Sequence, residues 1–178
     1  MKLIEAINQS HLEKIQNLYN EAFPSAERKS FYRLIQTRDK GNAEILAIEN
    51  ENNDFLGLAI TAMYKDLVLL DYFAILPTQR GAGIGSKIFQ SLKKKYANKR
   101  FFLEIERTDI PADNQHQRQK RKAFYLKNGM TNMPFFINLC GMEMEILANN
   151  CKLDYEEYFS LYHNLFGKDI SQYISLVK

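Results

Sequence analysis

The sequence predicts one mixed α/β domain, a mostly antiparallel sheet of about seven strands flanked by helices. Three observations predict it. Apolar, partly β-branched runs at Glu44 to Glu49, Phe55 to Tyr64 and Leu67 to Leu76 follow one another across short turns, as successive antiparallel strands do. A glycine-rich turn and an amphipathic helix then lead to a further strand, Phe101 to Glu106. No repeat, low-complexity tract or Pro/Gly/Ser-rich linker divides the 178 residues, a length that suits one domain with a sizeable core.

Each element has a local cause. Lys2 to Ala6 reads as a short strand, and Ser10-His11-Leu12-Glu13 as a capping box opening a helix, with Leu12, Ile15, Leu18, Tyr19 and Ala22 on one face and Pro24 ending it. A second helix carries Phe31, Leu34 and Ile35 and stops at Gly41. Asn52-Asn53-Asp54 and Lys65-Asp66 supply the turns of the strand series. After the glycine turn, Ile84, Ile88, Phe89, Leu92 and Tyr96 line a helix. A polar loop from Arg107 leads to a helix ending at Asn128-Gly129, then strands near Met133 to Leu139 and Met142 to Leu147 with Gly141 between them. Residues 151–178 read as a C-terminal helical extension, capped by Asp154-x-x-Glu157. Its aromatic stripe, Tyr155, Tyr158, Phe159, Tyr162, Leu165 and Phe166, packs on the domain or on a twin subunit, so a homodimer is one expectation.

Composition narrows the function classes. A net charge of +3 argues against a nucleic-acid binder, although Lys93-Lys94-Lys95 and Arg118, Lys120, Arg121 and Lys122 are local clusters suited to phosphate. No apolar run approaches the roughly 20 residues a bilayer span needs, and the start has no long apolar signal core. Cys140 and Cys151 lack metal or redox spacing and read as reduced, mostly packed thiols, which points to the cytoplasm. His11, His116 and His163 show no ligand spacing, so no metal is expected.

The chemistry concentrates at Gln79-Arg80-Gly81-Ala82-Gly83-Ile84-Gly85. A strand stopping at Pro77, glycines at alternate positions and a helix beginning near Gly83 make an anion site, because first-turn N–H groups lack intrahelical acceptors and the dipole there is positive. The nucleotide-hydrolase loop needs Gly-Lys followed by Ser or Thr, whereas Gly85 precedes Ser86 and then Lys87. The dinucleotide fingerprint matches Gly81 and Gly83, with Glu104 about twenty residues on, but its third glycine is Ser86 and the preceding strands form hairpins.

Arg80-Gly81-Ala82-Gly83-Ile84-Gly85 instead resembles the pyrophosphate loop of the GCN5-related N-acetyltransferase superfamily. Upstream, Asp71-Tyr72-Phe73-Ala74-Ile75-Leu76-Pro77 looks like its fourth strand. Downstream, Phe124-Tyr125-Leu126-Lys127-Asn128-Gly129-Met130 looks like its Phe-Tyr-x-x-x-Gly-Phe signature. The resemblance covers roughly Met1 to Ala148 and implies a sheet splayed in the middle. It also implies acetyl-CoA as co-substrate, held by Arg80, Gly81, Ala82, Gly83, Ile84, Gly85 and Ser86, with pantetheine along Phe73, Ala74 and Ile75. Tyr125 would stand beside the coenzyme sulfur as proton donor. Three departures stand out: the family's common Asn seven residues before the tyrosine is Arg118, its small residue four before is Arg121, and the loop from Arg107 to Gln117 is long. That basic helix face is either solvated or turned toward coenzyme phosphate or an acidic substrate.

Acetyl transfer to an amine needs the amine neutral, and one with a lysine-like pKa of ~10.4 is more than ~99% protonated at neutral pH, a deficit of roughly 4–5 kcal/mol. Three strand acids could take the proton: Glu104, whose Leu103-Glu104-Ile105 context resembles that of peptide-N-terminal acetyltransferases, then Asp71, then Glu106. The expected function is N-acetylation of a primary amine of a small molecule or peptide by direct attack in a ternary complex. An acyl-CoA-binding regulatory module without turnover is the alternative of another class, and a dinucleotide enzyme a third.

Overall fold

The computed structural model describes residues 1–81 and 83–177. Its strands are β1 (Lys2–Glu5), β2 (Ala43–Glu49), β3 (Phe55–Tyr64), β4 (Leu67–Ile75), β5 (Arg100–Glu106), β6 (Thr131–Leu139), β7 (Met142–Ala148) and β8 (Ile174–Leu176). The helices are α1 (Gln9–Ala22), α2 (Phe31–Asp39), α3 (Ile84–Lys95), α4 (Gln115–Lys127), α5 (Tyr155–Phe166) and the short α6 (Lys168–Ser171). The strands form one eight-stranded sheet in the order β1-β2-β3-β4-β5-β7-β6-β8. Pairings β1–β2, β2–β3, β5–β7, β6–β7 and β6–β8 are antiparallel, so the mixed α/β, mostly antiparallel architecture expected from the sequence is the observed one. The eighth strand is an addition, and lies in the segment read as purely helical.

Turn chemistry accounts for the reversals. Asn53 and Lys65 take positive φ values of 65° and 56° in the two turns of the strand series, and Cys140 and Gly141 do so at 53° and 90° between β6 and β7. Paired left-handed residues match the twist of a hairpin. Cys140 is therefore exposed at a turn rather than packed, while Cys151 is half-buried. The cap of α1 also differs from expectation. Asn8, not Ser10, is the N-cap, its Oδ1 accepting from the His11 N–H at 2.8 Å, because asparagine caps as well as serine and stands at the residue where the chain turns helical. The Asp154/Glu157 capping box of α5 forms as read.

Contacts gather the chain into two compact units, Met1–Ala62 with Leu70–Lys95, and Met63–Leu69 with Tyr96–Lys178. The first is built around Ile15, Leu18, Tyr19, Leu34, Ile45, Leu58, Ile60, Tyr72 and Ala74, all buried. Here α1 and α2 lay apolar stripes on the sheet, and each large aliphatic side chain removed from water contributes about 1.5–3 kcal/mol. A close backbone approach also needs Gly57. A Cβ there would stand 2.3 Å from the Ala74 carbonyl oxygen, so β3 can lie against the end of β4 only without a side chain at that position.

The second unit is the more aromatic. Phe101, Phe102, Tyr158 and Tyr162 are fully buried. Ring contacts run from Phe102 to Tyr158 at 6.2 Å, Tyr158 to Tyr162 at 5.0 Å and Tyr162 to Phe166 at 5.3 Å. The stripe of α5 thus packs within its own unit. Among the described residues no helix is long and apolar enough to cross a membrane.

Candidate active site

The first unit presents the glycine turn. Proline at residue 77 cannot donate to a ladder and stops β4, and a single 3-10 turn, Pro77–Gln79, leads to Arg80. The Arg80 Nε donates to the Ile75 carbonyl at 3.1 Å, anchoring the turn to the strand end. Gly81 and Gly83 take φ values of +100° and +72°, conformations that side chains rarely adopt. Among the described residues, and chain neighbours aside, no atom lies within 4 Å of where a Cβ would stand on either. Main chain at Gly81 and Gly83 is thus uncovered beside the N-terminal end of α3, where the Ile84 N–H already donates to the Gly81 carbonyl at 3.2 Å. Ala82 lies outside the described residues.

Upstream on β4, Phe73 packs on Phe89 of α3 at 6.1 Å, while Ala74 and Ile75 are buried. Asp71, on the face of Phe73 and Ile75 by strand alternation, is almost wholly enclosed, its side chain 5% exposed. Its Oδ1 pairs with the Lys29 Nζ at 2.7 Å. Its Oδ2 is buried and has no hydrogen-bond partner among the described residues. Such an atom carries an uncompensated desolvation cost.

Lys29 is fixed in turn. Its backbone N–H donates to the Tyr72 hydroxyl at 2.9 Å, its carbonyl accepts from the Tyr19 hydroxyl at 2.9 Å, and its ammonium lies 5.5 Å from the Tyr72 ring centre. Tyr19 and Tyr72 meet edge to face at 4.7 Å, with Phe23 and Phe31 around them. Burial, with the neighbouring Tyr72, pushes the Tyr19 phenol far above its ordinary pKa, so it remains a neutral donor.

In the second unit, α4 places Tyr125 in the interior at 9% exposure. Burial pushes its phenol up to about 12, against a smaller lowering by the Arg121 charge. The hydroxyl therefore keeps its proton throughout the neutral range. Gly129, at φ +85°, closes the helix, and the Met130 N–H returns to the Tyr125 carbonyl at 3.1 Å, which fixes the residue's backbone.

The acids of β5 are densely partnered. The Glu104 Oε1 accepts from the Tyr158 and Tyr162 hydroxyls, both at 2.8 Å, and Oε2 lies 3.0 Å from the Tyr162 hydroxyl. Glu106 is buried and takes Arg118 at 3.0 Å and Asn114 at 2.9 Å on Oε1, and Arg121 at 2.8 Å on Oε2. Glu145 of β7 meets Lys122 at 2.5 Å and accepts from the Thr108 N–H at 2.7 Å and hydroxyl at 2.5 Å. Desolvation would raise the Glu145 carboxyl, but Lys122 and Thr108 outweigh it and hold the group below its ordinary value.

The basic face of α4 thus spends Arg118, Arg121 and Lys122 on two buried glutamates of its own unit. Lys120 and Arg121 are exposed, and spacing alone could not show the pairings, since the partners lie on other strands. Among the described residues, no group of three His, Cys, Asp or Glu side chains is placed to hold a metal ion.

A glycine turn beside a helix N-terminus, on a mostly antiparallel sheet with helices, is the arrangement expected of an acyl-coenzyme A enzyme. Residues 12–130 match the model of the acetyltransferase (GNAT) family, and the chain belongs to that family. It is an acetyl-CoA-dependent N-acetyltransferase. No curated protein sequence matches it.

Solved structures share the fold at low identity. A GNAT-family acetyltransferase from Bacteroides thetaiotaomicron is 20% identical with a TM-score of 0.76, over 96% of this chain and 97% of that one. An aminoglycoside 6'-N-acetyltransferase solved with coenzyme A is 16% identical with a TM-score of 0.66, over 86% and 100%. A spermidine N-acetyltransferase from Vibrio cholerae, solved with CoA and spermine, is 13% identical with a TM-score of 0.61, over 83% and 93%.

Proposed function

We propose that the chain acetylates a primary amine of a small molecule or peptide by direct attack on acetyl-CoA, with Asp71 receiving the amine. The observation that carries this reading is the buried, unpartnered Oδ2 of Asp71, which an ammonium would satisfy and from which it could lose a proton. Glu104 and Glu106, whose oxygens are taken up by tyrosine hydroxyls and by guanidinium and amide groups, serve packing and charge balance in this reading.

The coenzyme's pyrophosphate is assigned to the turn Arg80 to Ser86 and its pantetheine to Phe73, Ala74 and Ile75. The ammonium gives one proton to Asp71, and the neutral nitrogen attacks the thioester carbon. The C–N bond forms, the C–S bond breaks, and the departing thiolate takes a proton, the role the family resemblance gives to the Tyr125 hydroxyl. The amide nitrogen loses its second proton, which restores the acid that protonated sulfur, and Asp71 releases its proton to solvent, leaving the N-acetyl product and free coenzyme thiol. Main-chain N–H groups of the Phe73–Ile75 strand supply stabilisation for the intermediate oxyanion, and holding both substrates together contributes ~7–11 kcal/mol through effective molarity.

The test is thiol release from acetyl-CoA across a panel of amines, with calorimetry of acetyl-CoA binding alongside. Turnover with intersecting initial-rate patterns, and loss of turnover in Asp71→Asn with coenzyme affinity retained, is expected. Coenzyme binding with no acceptor ever consumed contradicts the reading, as does full activity in Asp71→Asn.

A further inference from the structure

Three buried side-chain polar atoms lack a hydrogen-bond partner among the described residues, and two of them, Arg28 Nε and Asp71 Oδ2, belong to residues joined through Tyr19 and Lys29. Arg28 places its guanidinium carbon 6.0 Å from the centre of the Tyr19 ring, and its Nη1 donates to the Asn20 Oδ1. Tyr19 donates to the carbonyl of Lys29, the residue after Arg28, and the Lys29 ammonium holds the other oxygen of Asp71. A cationic donor and an anionic acceptor, each desolvated, thus flank a hub made of Tyr19 and Lys29. Buried groups of this kind are nearly always satisfied in a folded protein, so a pair of opposite sign points to a ligand of opposite polarity at each end.

We propose that Arg28 and Asp71 are the recognition pair for a zwitterionic acceptor, an amine that carries a carboxylate on the same molecule. The Asp71 Oδ2 takes the ammonium and the Arg28 Nε takes the carboxylate. This rests on the reading of Asp71 as the amine-receiving acid and adds the acceptor's charge class. The local charge agrees. The segment Glu27 to Arg33 holds three cations, Arg28, Lys29 and Arg33, against Glu27, and Asp71 adds one more acid. A polyamine such as the spermine bound by the Vibrio cholerae protein meets more cations than acids here, whereas an amino-acid-like molecule offers each buried group its counter-charge.

Matched pairs differing only by a carboxylate test this: L-alanine against ethylamine, L-ornithine against putrescine, L-lysine against cadaverine. Two readouts are taken, kcat/KM for thiol release from acetyl-CoA and calorimetric binding in the presence of CoA. The carboxylate member of at least one pair is expected to bind and react about tenfold better or more, as a charge-assisted hydrogen bond is worth. Arg28→Gln should bring that ratio near one with acetyl-CoA affinity unchanged, and Arg28→Lys, which keeps the charge, should retain part of it. Equal or reversed preference in every pair overturns the proposal, and so does a preference that survives Arg28→Gln. If carboxylate members bind better yet no amine is ever acetylated, the transferase reading of the site fails while the recognition pair stands.

Discussion

Asp71 in the first unit and Glu104 and Glu106 in the second are all half-buried or buried strand acids, yet their surroundings differ. Asp71 has one oxygen on Lys29 and the other without a hydrogen-bond partner among the described residues. Glu104 is gripped by two tyrosine hydroxyls and Glu106 by two guanidiniums and an amide. A carboxylate whose lone pairs are already matched holds structure together, whereas one left unmatched in the interior is poised for a partner from outside. In the proposed reading, the difference separates architecture from chemistry.

The strongest way to break the comparison is to strip a partner from the second unit. Lys122→Met leaves Glu145 charged, buried and without its cation, which should cost about 3–5 kcal/mol of stability and show as a lower unfolding midpoint. Unchanged stability would mean that these pairs are not structural. Tyr125→Phe, next in size, should lower kcat up to about 100-fold without changing stability by more than about 1 kcal/mol. Because burial holds the phenol up to about 12, the wild-type kcat should show no loss of this donor between pH 7 and 10, and a Tyr125-dependent fall near pH 9 would contradict the assignment.

Glu104→Gln sharpens the contrast from the other side. Weakening hydrogen bonds from Tyr158 and Tyr162 to a charged acceptor should lower stability by roughly 1.5–3 kcal/mol while leaving kcat/KM within about threefold. The smallest effect concerns pH. The folded Glu145 carboxyl sits below its ordinary 4.5, so its stabilisation is complete above that value and is lost as pH falls through the depressed one. The midpoint should therefore fall in acid below about pH 4.5, and less so in Glu145→Gln.

Much of this was legible in the residues. The glycine turn, the strand series, the capping box of Asp154 and the buried stripe of α5 each follow from neighbours within a few positions. Glu104, by contrast, finds its partners 54 and 58 residues away, and Asp71 finds Lys29 at a separation of 42. Local pattern carries no information about such pairings. Alternation could mark three strand acids, but only the folded chain shows which one is left over. Gly57 and β8 escaped for related reasons. One is defined by an approach of β4 backbone, and the other is three residues long and follows a dominant helical stripe.

The most direct test sets Asp71→Asn and Glu104→Gln side by side, measuring kcat/KM for thiol release at neutral pH with the same amine. A loss of about 100-fold or more for Asp71→Asn, beside a near-normal Glu104→Gln, is the result this account expects. The reverse pattern, with Asp71→Asn active and Glu104→Gln dead but folded, would contradict it.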